Sequence, residues 1–261
     1  MKYSDHIGLW RDELRTWVPS TLFDAHVHLS PPEVMEPFSP ARRREALATF
    51  DSFTWEQYTD LSTRLFSGKN LLGLFAFPIP LREANRERAN DYIIAIMRRD
   101  PRVHGFLLAD PQDPRPSIAA YERARKAGAP FVGVKPYADL LGKSNFQSTM
   151  PECIPEGLLE FMDAKRLVLM LHTSGIGVGD AENRQYLRRV AERFPRIKVI
   201  LAHMGRYVEP AQFFRFLDSG LLEECPNLYL DLSSASISEI YERFLRKVWL
   251  PDTRSGVYCS R

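Results

Sequence analysis

The sequence predicts an α/β chain of the (β/α)8 TIM-barrel type, and three observations carry that expectation. Seven strand-like runs alternate with helical patterns along nearly the whole of the 261 residues. The runs are apolar throughout rather than alternating, as in a parallel sheet covered on both faces. Polar residues collect at their C-terminal ends, namely His28, Asp110, Lys135, His172, His203 and Asp231. That is the face on which barrel enzymes assemble their sites. An open doubly wound sheet is the alternative, but no GxGxxG follows any run, which counts against a dinucleotide site.

The first run, Leu22 to Leu29, is bounded by Pro19-Ser20 and Ser30-Pro31-Pro32. Asn70 to Pro78 reads as the second strand, with an amphipathic helix over Leu81 to Asp100. Arg102 to Asp110 is the third, followed by a helix from Pro116 to Gly128. Phe131 to Tyr137 is the fourth, with a helix near Pro155 to Lys165. Leu167 to Gly175 and Lys198 to Arg206 are the fifth and sixth, followed by helices over Ala181 to Phe194 and Pro210 to Glu224. Asn227 to Ala235 is the seventh, and Ser238 to Val248 the last helix. Seven clear units leave the expected barrel incomplete at its C-terminus.

The connection from Ser30 to Lys69 is the one irregular insertion. It carries Pro31, Pro32, Pro37 and Pro40, then helical patterns near Ala41 to Phe50 and Trp55 to Phe66. Placed directly after the first strand, it is read either as a lid or side wall over a site or as a structural excursion. Residues 1–261 are read as one barrel domain carrying this insertion.

Composition narrows the partners. Lys plus Arg is 35 against 33 for Asp plus Glu, a net charge of +2, so neither a nucleic acid nor a membrane surface is expected. Arg42-Arg43-Arg44 reads as a solvated helix face. The longest apolar run, Leu71 to Leu81, contains two prolines and is too short to span a bilayer. The N-terminus lacks the apolar core of a signal peptide. Cys153, Cys225 and Cys259 are widely spaced without CxxC pairing, as in the reduced thiols of a cytoplasmic protein. A small molecule is the expected partner, with self-association left open.

The chemistry concentrates in Asp24-Ala25-His26-Val27-His28. Side chains at i and i+2 of a strand share a side, so two imidazoles can converge on one point. Such a pair is half a site for a divalent metal, with zinc expected and manganese the alternative. Asp24, facing the same way, is placed behind the pair. His6 and His104 lack this setting and are left without a role.

Read in order, DAHVHL on the first strand, GVKPY on the fourth, LMLHTSG on the fifth and LAHMGR on the sixth resemble the amidohydrolase superfamily, in its amidohydrolase-related (amidohydrolase 2) branch. The resemblance covers roughly residues 21 to 248. It implies a distorted (β/α)8 barrel binding one or two divalent ions, with His26, His28 and His172 as metal ligands. It makes His203 either an acid/base or a second-metal ligand. Lys135 corresponds to a lysine that is carboxylated in binuclear members and holds an anionic substrate in others; a salt-bridged strand-end lysine is the structural alternative. Gly205 beside His203 is expected to leave room for a ligand. Arg206 and Tyr137 are candidates for binding a substrate carboxylate.

One departure stands out. The family's strand-eight aspartate, in a Gly-Ser-Asp run, has no counterpart after the last helix. Asp252 follows a proline without an apolar strand, and Asp231 belongs to the seventh strand, so neither is assigned that role.

Three functions follow as expectations. The first is a metal-dependent hydrolase of a small amide, lactone or related carbonyl compound, using metal-activated water. The second is a metal-dependent non-oxidative decarboxylase of a small carboxylic acid. The third is a truncated, catalytically impaired metal-binding fragment.

Overall fold

A computed structural model describes residues 6–16, 18–44, 52–233, 240 and 243–244. Seven strands form one sheet in the order β1-β2-β3-β4-β5-β6-β7, every neighbouring pair parallel. They are β1 (Thr21–His28), β2 (Asn70–Phe77), β3 (Val103–Leu108), β4 (Gly133–Lys135), β5 (Val168–Leu171), β6 (Lys198–Leu201) and β7 (Leu228–Leu230). Sequential order with a helical crossover at almost every step is the topology of a (β/α) barrel. All seven strands fall inside the expected runs to within one residue, and most are shorter. The last expected helix, apart from three residues, and the tail bearing Trp249, Asp252 and Cys259 lie outside the described residues.

Local chemistry sets the helix starts. Asn85 Oδ1 accepts the Arg88 N–H (3.1 Å) ahead of Arg86–Arg99, and Asp180 accepts the Glu182 N–H (2.9 Å) ahead of Ala181–Arg193. Asp113 caps Pro114–Lys126, which has proline at its first position. The single helix expected over Pro210 to Glu224 is two, Pro210–Leu217 and Leu221–Glu224. Gly220 sits between them at φ +76°, and Ser219 Oγ donates to Phe216 O at 2.7 Å, capping the first helix's end.

The helices pack outside the sheet, burying Ile93, Leu158, Leu187 and Phe216 against Leu107, Leu169 and Val199. Inside the barrel a separate cluster of Phe77, Phe106, Met170 and Ala202, flanked by Phe75 and Ile200, fills the floor. Side chains, not a pore, occupy the interior. Gly133 permits that packing, because a Cβ there would stand 2.3 Å from Phe106 Cε1.

The insertion is tied down at several points. Ser30 and Phe53 exchange backbone hydrogen bonds of 2.8 and 2.9 Å. Arg42 is buried rather than solvated, and the reading of a solvated basic face is corrected for this residue. Its guanidinium donates to both Glu83 oxygens (2.6 and 2.8 Å) and to Asp139 Oδ2 (2.7 Å). The fork joins helix Pro40–Arg44 to the loops after β2 and β4. Helix Trp55–Leu65 begins with a reciprocal Thr54–Gln57 capping box.

Candidate metal centre

The register between β1 and β2 shifts between Asp24 and Val27, so a bulge lies under His26 and re-aims its ring. The rings of His26 and His28 meet with their Nε2 atoms 3.2 Å apart. His28 Nδ1 faces the Pro78 carbonyl at 3.4 Å and His26 Nδ1 faces Asp231 Oδ2 at 2.7 Å. A carbonyl and an ionised carboxylate only accept, so both rings donate from Nδ1. Two Nε2 lone pairs then confront one another, an arrangement that calls for a cation. Tetrahedral zinc with Zn–N near 2.0–2.1 Å would set two nitrogens about 3.3 Å apart. Phe77 supports both rings edge-on, its centroid 4.8 and 4.7 Å from theirs.

Asp231 organises the neighbouring strand ends. Oδ1 accepts from the His203 N–H (2.9 Å), the Ser233 N–H (3.0 Å) and the Ser233 hydroxyl (2.5 Å), while Oδ2 takes the His26 ring. Burial works to raise this carboxyl's pKa, but the hydrogen bonds from His26, Ser233 and His203 overcome it and hold the group ionised. His203 Nδ1 contacts both the Ser233 carbonyl (3.1 Å) and its hydroxyl (2.8 Å), which leaves Nε2 as the free lone pair. The tightest trio of metal-type donors among the described residues is therefore His26, His203 and Asp231, all within 4.8 Å of one another. Since the Asp231 oxygens already accept four hydrogen bonds, its place is behind His26, orienting a ligand ring. The sequence places Asp231 at the end of the seventh strand and gives it no role in the site. It stands one residue past the end of β7, the strand paired with β6, which brings its carboxylate to the His203 N–H.

Strand β6 ends at Leu201, and His203, Met204, Gly205 and Arg206 all adopt positive φ, between 54° and 76°. The Asp231 bond to the His203 N–H stabilises this turn. The room beside Gly205 goes to Val178, whose Cγ1 would lie 2.3 Å from an added Cβ. The expectation that Gly205 leaves space for a ligand is corrected accordingly. Thr173 Oγ1 donates to Gly205 O at 2.6 Å and Arg206 Nη1 to Thr173 O at 2.6 Å, stitching the β5 and β6 loops together.

The remaining candidates divide. Lys135 is 1% exposed, and its Nζ lies 4.8 Å over the Phe77 ring with no hydrogen-bond partner. His172 Nδ1 is also buried and unpartnered, its ring edge-on to Tyr137 (4.7 Å) and to His203 (5.3 Å). Tyr137 lines the same cavity and receives the Asn145 amide at 3.3 Å. Arg206 does not line it; beyond Thr173, its guanidinium stacks 5.6 Å from the Phe146 centroid. Asp24 accepts from the His26 N–H (3.3 Å) and the Tyr58 hydroxyl (3.1 Å), touching no imidazole nitrogen. Asp110 pairs with Arg86 (2.5 Å), and the His104 ring stacks on Phe23.

A cavity of about 450 Å³ joins His26, His28, His172, His203, Lys135, Tyr137 and Asp24 to a wall from the insertion. Burial lowers the pKa of all four imidazoles, to about 4 for His203. They are held neutral, the state metal ligation requires.

The amidohydrolase family model matches residues 23–249. The chain belongs to the amidohydrolase family. Solved structures share the fold: amidohydrolase 2 from Bifidobacterium longum subsp. infantis is 18% identical, with 88% of this chain and 80% of that one covered and a TM-score of 0.56. A 2,6-dihydroxybenzoate decarboxylase complexed with 2,6-dihydroxybenzoate is 16% identical, with 88% and 86% covered and a TM-score of 0.55. A 4-oxalomesaconate hydratase from Rhodopseudomonas palustris is 15% identical, with 85% and 76% covered and a TM-score of 0.51. No curated protein matches the chain. Among the described residues no helix is long and apolar enough to cross a membrane.

The donor set of this amidohydrolase suits a divalent ion, since the paired neutral nitrogens of His26 and His28 line one cavity with His172, whose Nδ1 is buried without a partner. Burial lowers the Lys135 pKa from 10.5 to about 8. Between those values the unfolded chain binds more protons than the folded one, so this residue makes stability rise with pH there. Below about pH 8 the buried ammonium costs about 3 kcal/mol. Lys135→Met is therefore expected to raise the melting temperature of the metal-free protein at pH 7. That advantage should shrink as the pH climbs from 8 to 10.5. An offset constant across the window would mean that Lys135 keeps its hydration when folded.

Proposed function

We propose that this chain is a metal-dependent hydrolase of a small amide, lactone or related carbonyl compound. The supporting observation is the pair of Nε2 lone pairs on His26 and His28, fixed by acceptors behind each ring. His172, which lines the same cavity and has a buried, unpartnered Nδ1, is the third nitrogen donor we assign. Zinc is the ion we assign, with manganese as the alternative. Such an ion, when bound, polarises a carbonyl and makes water more acidic. His203, neutral and with Nε2 free, accepts a proton on that nitrogen and returns it to a leaving group. Its Nδ1 contacts with Ser233 hold the ring for that exchange. Tyr137 and Lys135 border the space where substrate lies. The insertion acts as the side wall that keeps water out.

A second reading, non-oxidative decarboxylation, draws support from the buried, unpartnered Lys135 in an apolar cavity. A carboxylate placed there loses its hydration, which favours departure of carbon dioxide. The decarboxylase among the structural neighbours fits this reading. Under the third, a metal-binding protein without turnover, the same nitrogens bind and nothing follows.

One experiment separates the three. The purified protein is loaded with zinc or manganese, its metal content measured, and esters, lactones, amides and carboxylic acids screened for hydrolysis and for carbon dioxide release. Hydrolysis that is lost in His203→Asn while metal content stays at one ion is the expected result. Carbon dioxide release without hydrolysis would favour the second reading. Stoichiometric metal with no turnover of any class would leave the third.

A further inference from the structure

Three of the four cavity imidazoles have a partner on Nδ1: Asp231 for His26, the Pro78 carbonyl for His28 and Ser233 for His203. His172 Nδ1 has none. That ring is aimed by the backbone on either side of it and by the rings of Tyr137 and His203 against it. On the strand side, Leu171 stands in register with Leu201 of β6. On the loop side, Thr173 is held twice. Its hydroxyl donates to Gly205 O and its carbonyl accepts from Arg206 Nη1, each at 2.6 Å.

Arg206 makes this contact from a backbone conformation that its own Cβ opposes. At φ 54° and ψ 146° it stands at the edge of a region that glycine almost alone occupies. The turn holds it there. Its N–H donates to His203 O (3.0 Å), and its carbonyl accepts from the Val178 N–H (3.2 Å). The β5 loop lies so close that a Cβ on Gly177 would stand 2.1 Å from that carbonyl. Backbone geometry gives no reason for an arginine at this position; the reason lies in its side chain. The guanidinium bridges Thr173 O on the β5 loop and the Phe146 ring on the β4 loop. Asn145, next to Phe146, accepts the Gly175 N–H (2.7 Å) on its carbonyl and donates its amide to the Tyr137 oxygen. After burial itself, the Arg206 charge does most to lower the His172 pKa, a mark of how near it stands.

We infer that Arg206 is the positioning residue of His172, its strained backbone kept so that the guanidinium can pin Thr173 and Phe146 around that ring. The inference rests on the reading of His172 as the third metal donor and adds what aims it. It also fixes a sign. A positive charge near a cation site opposes binding, so its removal alone would tighten zinc. Weaker zinc binding without the guanidinium therefore reports the lost tie and not the lost charge.

The test compares Arg206→Gly, which removes both the tie and the strain, with Arg206→Met, which removes the tie and keeps the strain. Zinc affinity, measured by competition with a chromogenic chelator, should fall about tenfold or more in both. Their melting temperatures should differ, Arg206→Gly standing above Arg206→Met because it alone relieves the backbone. In the metal-free protein, the nitrogen-15 signals of the His172 ring, assigned by their loss in His172→Ala, should shift in both variants. Those of His28 should hold still. Undiminished zinc affinity in either folded variant, or affinity that merely follows melting temperature across the pair, would overturn the inference, provided His172→Ala itself loses zinc. If His172→Ala binds zinc as the parent does, the reading of His172 as a ligand falls instead. The metal-free ring signals then decide the inference alone, unchanged signals overturning it.

Discussion

Replacing both His26 and His28 with alanine is expected to abolish zinc binding, lowering affinity by more than the roughly 10–100-fold that loss of a ring's supporting partner costs. The two Nε2 atoms stand 3.2 Å apart as mutually facing lone pairs, and among the described residues no other two imidazole nitrogens lie within hydrogen-bond distance of each other. The double variant also strips Asp231 Oδ2 of its partner, so part of its effect is structural. His28→Ala isolates the metal term, because the one protein acceptor that ring holds outside the pair is the Pro78 carbonyl at 3.4 Å. It should melt near the parent temperature and yet bind zinc at least as poorly as a variant lacking a supporting partner. Stoichiometric zinc in a folded His28→Ala protein would show that the pair is a satisfied hydrogen-bonded couple and not a ligand site.

Much of this was legible in the sequence. Seven apolar runs gave seven strands because fully buried parallel strands cannot alternate polar residues, whereas the caps at Asn85 and Asp113 set helix starts that the sequence pattern placed at Leu81 and Pro116. The convergence of His26 and His28 followed from strand periodicity, although the bulge beneath His26 did not. Illegible were features that depend on which loops meet. The β6 run reads as strand through Arg206, yet the Asp231 carboxylate and the packing of Val178 on Gly205 turn it at His203. Arg42 looks like one of three solvated arginines until Glu83 and Asp139, far away in sequence, surround it. Arg206 promised a carboxylate clamp, but the carbonyl that claims it belongs to the neighbouring loop. Each miss is a contact between loops far apart in sequence, which hydrophobic periodicity does not encode.

The exchange of one atom in Asp231 tests the deepest of those contacts. As a carboxylate, Asp231 only accepts, and four donors converge on it: the His26 ring, the His203 N–H, and the N–H and hydroxyl of Ser233. In Asp231→Asn the oxygen can stay with the three donors at Oδ1, so the amide nitrogen replaces Oδ2 and points at His26 Nδ1. Two donors cannot face each other at 2.7 Å, and the cheapest relief is for His26 to move its proton to Nε2. There it donates to His28 Nε2, and the lone pair that would hold a metal is gone. The variant should therefore stay folded, with a loss of about 1–3 kcal/mol, while zinc affinity falls about 10–100-fold. Nitrogen-15 spectra of labelled histidine should show the His26 proton on Nε2 in the variant and on Nδ1 in the parent. Asp231→Ala, which leaves a buried ring and three further donors without an acceptor, should cost about 3–5 kcal/mol. Asn at this position with undiminished zinc affinity and an unchanged His26 spectrum would mean that the carboxylate ties loops together and has no part in setting the ligand.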